Sequence, residues 1–283
     1  MNDNIIAATL TRLLYYVFAT MLLTGCSQKP PKHYTHMVIN AMTPIKDQGK
    51  TQLCWVYAML AAIETEHLRW GDSVNLSPAY IATMLEHEPQ APKSRRGMGA
   101  TTIALMQKYG IVAYDAMRTT DMPAPRYAFM LGAQYTPQEF ARSVCAPDEY
   151  LCLTSTGSKP YFKEVEIAEP DNWLHQRFLN VPMDSLIEKT IHAVQHHHGV
   201  CWESRSHAMA IVGLAHDDAG KKYFVMKNSW GNNRPYRGLE YVSFAQFRKR
   251  TLAIEMTKEA YRQPPKPRLS TACSQANGKK KKK

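Results

Sequence analysis

Near residue 199 the hydrophobic period of the chain changes, and that change constrains the fold more than any other feature. Upstream, apolar residues recur at helical spacing. Trp55, Met59, Ala62 and Ile63 share one face of a helix expected from near Cys54 to about Arg69. A second helix follows in "NLSPAYIATMLEHE", with Ser77 as N-cap and Pro78 at its first position. A third, "GATTIALMQKYG", closes on Gly110 as a left-handed cap. Residues 111–180 weaken into loops rich in Pro, Tyr and Asp. One more helix, "DSLIEKTIHAVQHHH", opens on Asp184 and turns Leu186, Ile187, Ile191 and Val194 inward. Downstream the pattern becomes "VCWES", "HAMAIVGLA", "KYFVMKNSW" and "LEYVSF", short strands separated by turn residues. Helices first and an antiparallel sheet later is an α+β signature.

The two ends read differently from the middle. "LLYYVFATMLLTGC" is too short for a comfortable membrane span and has the proportions of a secretory signal. Its ending, Leu23-Thr24-Gly25-Cys26, resembles a bacterial lipobox, in which the cysteine becomes the lipidated first residue of the mature chain. The expected division is a signal peptide over 1–25, a tether over 26–40, a helical subdomain over 41–130 and a β-rich subdomain over 131–260. A disordered basic tail follows over 261–283. The expected location is a bacterial cell envelope, with the membrane as a partner through the Cys26 lipid. Ser27 to Ala41 are too few to form an inhibitory prosegment.

The formal charge is +11, but five of those charges are Lys279 to Lys283, which leaves six for the rest. No aromatic-interleaved basic helix or zinc-finger spacing accompanies them, so nucleic acid is not an expected partner. An exported chain can keep disulfides, and Cys145 and Cys152, flanking "APDEY", can close a small ring or remain free. Cys201 sits in an apolar run and is expected to be buried.

Cys54 stands where a polar turn, Gly49-Lys50-Thr51-Gln52, gives way to a buried helix. At a helix N-terminus the free N–H groups and the macrodipole favour a thiolate. A nucleophilic thiol needs a base, and the base needs an orienting group. His207 opens the strand "HAMAIVGLA" and Asn228 follows "KYFVMK". If those strands pair, Asn228 accepts the imidazole N–H and fixes its tautomer.

These residues carry a resemblance. "DQGKTQLCW", "SHAMAIVG" and "KNSWGN" are similar, in order, to the Cys, His and Asn motifs of the papain-like cysteine peptidases. The resemblance runs over about residues 41–260. It implies a helical subdomain packed on an antiparallel, β-barrel-like one with the cleft between them. It implies Cys54 as nucleophile, His207 as base, Asn228 as orienter and Gln48, six positions before Cys54, as oxyanion-hole donor. It further implies that Trp230 shields the His–Asn bond, that the substrate is a peptide or protein, and that neither a cofactor nor a metal is needed. "RGMGATTIALMQKYGIVAYD" and "FLNVPMDSLIEKTIHAV" resemble the bleomycin hydrolase and aminopeptidase C branch. That places Gly97 or Gly99 beside the substrate chain; either glycine can instead serve only a turn.

Three departures bear on specificity. Thr51 replaces the usual cysteine three residues before the nucleophile. Leu53 replaces a small or basic residue and is expected to narrow the cleft. Only "ESRS" links the strand "VCW" to His207. In the aminopeptidase branch the chain's own C-terminus captures the substrate's amino group, but Lys279 to Lys283 would repel it, so internal cleavage is expected. The rival classes are a metal site at His192 and His196 with Glu188, an inactive binding protein on the same scaffold, and an amidase or transpeptidase using the same triad.

Overall fold

The computed structural model describes residues 32–130 and 132–262. The expected signal sequence, Cys26, Cys273 and the lysine block lie outside them. Among the described residues no helix is long and apolar enough to cross a membrane.

The helices form where their sequence signals place them. Helix α1 spans Cys54–Arg69 and α2 spans Pro78–Leu85, where the Ser77 side chain accepts from the Tyr80 N–H. Helix α3, Gly99–Tyr109, ends at Gly110 with φ +90°, a backbone only glycine adopts easily. A Cβ there would also lie 2.3 Å from the Pro137 carbonyl carbon. Helix α4, Pro137–Val144, falls inside the stretch expected to be loop. Thr136 and Glu139 form a reciprocal capping box, and Phe140, Ala141 and Val144 turn inward. Helix α5 runs Met183–Gln195, so Asp184 lies in its first turn and Pro182 holds the cap position.

Strands β1 (Thr35–Ile39), β4 (Tyr150–Thr154), β5 (Lys163–Glu166), β6 (Arg177–Asn180), β7 (Val200–Ser204), β8 (Ala208–His216), β9 (Lys222–Lys227), β10 (Leu239–Ser243) and β11 (Thr251–Thr257) make one sheet. Its order is β10-β9-β8-β7-β11-β4-β6-β5, with β1 also on β8. A small hairpin, β2 (Ala128–Met130) with β3 (Ala133–Tyr135), stands apart. Two expectations are corrected here. The sheet is mixed, because β4 and β6 pair in parallel. Residues 35–39 are not a tether; they hydrogen-bond to β8 as its outer partner.

The sheet is covered on both faces, which explains why β8 reads as an unbroken apolar run rather than an alternation. On one face Val200, Trp202, Met209, Ile211, Phe224 and Met226 pack with Leu186, Ile187 and Val194 of α5 and with Phe247 of α6 (Phe244–Arg250). On the other, Cys201 and Ala208 pack into the helical core with Val56, Leu60 and Ile63 of α1. A short helix, α7 (Lys258–Arg262), ends the described chain.

Inside that second face Glu64 of α1 is fully buried and serves as a hub. It accepts from Thr43, from Lys46 Nζ at 2.6 Å and from the Leu76 N–H at 2.8 Å, with Lys227 of β9 3.7 Å away. This ties α1 to the sheet where the two meet. All four described cysteines, Cys54, Cys145, Cys152 and Cys201, are free, so the Cys145–Cys152 ring does not form. Cys145 caps α4 in the helical core, whereas Cys152 lies on β4 facing Glu255.

Candidate active site

Three short segments converge: the loop before α1, the turn into β8 and the turn out of β9. Because β8 and β9 are antiparallel neighbours, the residue before one and the residue after the other meet at the same edge. His207 Nε2 lies 2.8 Å from Asn228 Oδ1. The Asn228 amide can take only one orientation. Its Nδ2 donates to Glu240 Oε1 at 2.8 Å, and its Oδ1 accepts the Ser229 N–H at 2.8 Å. Oδ1 is therefore the atom facing the imidazole, Nε2 carries the proton, and Nδ1 is the basic nitrogen. The Trp230 indole stacks on the imidazole with centroids 4.7 Å apart.

Cys54 stands at the first position of α1, half-buried, and lines one pocket with His207, Gly97, Arg96, Glu203 and Ala208. Burial pushes its thiol above the ordinary value, and Glu203 adds to the rise. The Ala208 and Trp55 backbone groups and the Arg96 charge oppose it. Burial likewise pulls His207 down, with Arg250 adding to the fall, against Asn228 and Glu240. The donors at the helix N-terminus thus do not offset burial. Each shift is the penalty on a lone charge. Moving the proton from Cys54 to His207 creates two opposite charges together, each relieving part of the other's penalty.

The loop carrying Gln48 is stitched to the loop carrying Asn228. Gln48 N–H donates to the Ser229 carbonyl at 2.8 Å, and Gly231 N–H donates to the Lys46 carbonyl at 3.2 Å. The Gln48 side chain accepts from Ser229 Oγ at 2.5 Å and donates one amide hydrogen to the Thr51 carbonyl at 2.6 Å. A second amide hydrogen remains, since a carboxamide carries two. The backbone N–H of Cys54, in the first helical turn, has no intrahelical acceptor.

The two glycines part company. Gly97 lines the pocket, and a Cβ on it would sit 3.0 Å from the Trp55 ring. Gly99 does not line the pocket, and its N–H is spent on Glu203 Oε1, so it has no free donor for a substrate chain. Leu53 is a buried core residue rather than a cleft wall.

Sequence reasoning passed over four charged residues. Glu240, on β10, orients Asn228. Arg96 is held by Asp171 through bonds of 2.5 and 2.9 Å at the pocket rim. Glu203 is buried in the pocket wall; a carboxylate in the otherwise apolar strand "VCWES" was the available signal. Cys201 and Glu203 of β7 and Glu255 of β11 place one sulfur and two carboxylate oxygens within 4.8 Å of one another, all buried. They are the described grouping able to hold a metal ion. His192 and His196 stack on each other without joining it. Protons satisfy the grouping equally well, because burial raises both carboxyls, Glu255 to about 8.

A profile of the papain family cysteine protease domain matches residues 31–261. Among curated relatives, the chain is 34% identical over 206 residues to fruit bromelain of Ananas comosus, covering 68% of this chain and 49% of that protein. It is 24% identical over 211 residues to chymopapain of Carica papaya, covering 70% and 51%. The chain thus spans about half the length of the curated relatives it matches. The crystal structure of PepW from Lactobacillus rhamnosis HN001 aligns with a TM-score of 0.62 at 15% identity, over 80% of this chain and 82% of that one. At that identity the likeness is one of fold.

Proposed function

The chain belongs to the papain family of cysteine proteases, has that family's α+β fold, and from this premise we propose that it is an exported, lipid-anchored peptidase with a Cys54–His207–Asn228 triad. The observation that carries the reading is the fixed Asn228 amide, which leaves His207 Nδ1 as a base beside the Cys54 pocket.

In this reading the Cys54 sulfur attacks the substrate carbonyl as its proton passes to His207 Nδ1. The C–S bond forms, and the carbonyl electrons move onto oxygen. The Cys54 N–H and the second amide hydrogen of Gln48 receive that oxyanion. Collapse returns the electrons, the C–N bond breaks, and the imidazolium donates its proton to the leaving amine. Water then attacks the thioester carbonyl as His207 Nδ1 takes its proton; the C–S bond breaks, the acid is released, and the imidazolium returns the proton to the Cys54 sulfur. Trp230, stacked on the ring, keeps water off the His207–Asn228 bond.

Gly97 supports an extended substrate beside the pocket. The bonds proposed to be cut are internal ones of an extended chain. The lipobox-like Leu23 to Cys26 supports the anchor and the envelope location.

Mass spectrometry of products from a peptide library with free and acetylated N-termini tests this. Wild type is expected to cut blocked and free peptides alike, and Cys54→Ala to cut neither while staying folded. Undiminished turnover in Cys54→Ala would sink the assignment. Cutting confined to the first residues of free N-termini would replace internal cleavage by aminopeptidase action. Transfer of the acyl group to an added amine in preference to water would make it a transpeptidase.

A further inference from the structure

Beside the catalytic pocket lies a cavity of about 660 Å³ that the mechanism does not use. That volume falls within the roughly 300–1,000 Å³ range of ligand sites. Its wall shares Ser204, Ser206 and Leu252 with the pocket holding Cys54 and His207, so a chain threaded through one reaches the other. Ser204, Arg205 and Ser206 of the short "ESRS" connection form part of its wall.

The cavity's charge is one-sided. Lys159, Arg205, Arg248, Lys249 and Arg250 line it, against Glu166 and Glu169. Glu169 is paired with Arg205 at 2.9 Å and Arg248 with Asp184, while Glu166 meets only the His175 imidazole at 2.7 Å and keeps its charge. Lys159, Lys249 and Arg250 have no carboxylate partner among the described residues. Ser155, Thr156 and Ser158 add hydroxyl donors along the same wall. With Glu166 set against Lys159, Lys249 and Arg250, an excess of two positive charges remains, and along a concave, polar wall it attracts anions more strongly than it would on a convex surface. Continuity with the catalytic pocket selects a peptide as the anion's carrier.

We propose that this cavity is a recognition site for acidic side chains of the substrate, flanking the bond cut at Cys54. The inference rests on the peptidase reading for its substrate, but its charge logic does not depend on turnover.

The test uses the full chain and pairs of quenched fluorescent peptides that differ only by Glu or Gln at each position flanking the cut. The same peptides are titrated against Cys54→Ala protein by fluorescence anisotropy. At one or more positions Glu is expected to raise kcat/KM about fivefold or more over Gln, roughly what two or three exposed ion pairs supply. The gain should reside in KM and fade in 0.5 M salt, since exposed charges are screened. In Lys159→Glu/Lys249→Glu the Glu-to-Gln ratio should fall to one or below, and the milder Lys249→Gln should fall between. A preference for Glu in binding to Cys54→Ala, with no peptide cut by wild type, would keep the site and remove the peptidase reading. Cleavage without any Glu-to-Gln difference would overturn the proposal. So would a difference that survives the charge reversal, or the absence of both cleavage and preferential binding.

Discussion

Asn228 shows how one side chain decides the chemistry of another. A carboxamide can flip, and a flipped Asn228 would present a donor to His207 and demand the wrong tautomer. Glu240 prevents the flip by accepting from Nδ2. It is a positioning residue: it touches Asn228, and through it the imidazole. Glu240→Ala is expected to lower kcat about tenfold with little change in KM. That matches loss of one charge-assisted hydrogen bond of about 1.5 kcal/mol. Glu240→Gln, which can still accept, should recover most of it. Steady-state kinetics on one peptide checks this; an unchanged kcat in the alanine variant would mean that Asn228 holds its orientation without help. Glu240 was not legible as a functional residue, because an acid in the edge-strand sequence "LEYVSF" reads as a solvated side chain. Only the register of β10 on β9, Glu240 opposite Met226, brings it to the turn that follows β9.

At the scale of elements, β4, β11 and β7 carry a buried acidic row. Glu255 stands across from Cys152 on one side and Cys201 on the other, with Glu203 two residues along β7. The row faces Gly99 at the start of α3, where a Cβ would come within 2.9 Å of Glu255 Oε2. Burial holds the Glu255 carboxyl up at about 8, against an ordinary value of 4.5. A raised folded-state pKa means the native protein binds this proton more tightly than the unfolded chain. The resulting stability is complete below about pH 4.5 and is lost as pH rises toward 8, at no more than about 1.4 kcal/mol per pH unit. Thermal unfolding between pH 5 and 8 should therefore show wild type losing stability relative to Glu255→Gln, which mimics the protonated carboxyl. Parallel curves would contradict it. Of these strands, β7 was readable from its apolar run. Strands β4 and β11 lie where turn residues and charges interrupt the pattern, and the parallel pairing of β4 with β6 leaves no local signal. Helix α4 did leave one, the Thr136-Pro137-x-Glu139 capping box, inside a stretch whose Pro and Tyr content suggested loop.

On the scale of the whole molecule, the site exists because two loops far apart in sequence are sewn together. Gln48 and Ser229 bond to each other through backbone and side chain, while α1 is anchored to the sheet by Glu64 and Lys227. Cys54, His207 and Asn228 were legible because each sits at the boundary of a strongly patterned element. The role of Gly99 was not, since its N–H goes to an acid on a strand more than a hundred residues away. In the proposed mechanism Cys54 is activated by His207 rather than by its helix. The rate of Cys54 carboxamidomethylation, followed by peptide mass spectrometry from pH 5 to 9, tests it most directly. Cys145, Cys152 and Cys201 supply a silent background, because burial pushes their thiols up, Cys145 to about 12. At pH 6 wild type should react at least about tenfold faster than His207→Ala, whose thiol lacks a proton acceptor and follows burial upward. Equal rates in the two proteins, both rising only above the free-thiol range, would mean that His207 does not activate Cys54.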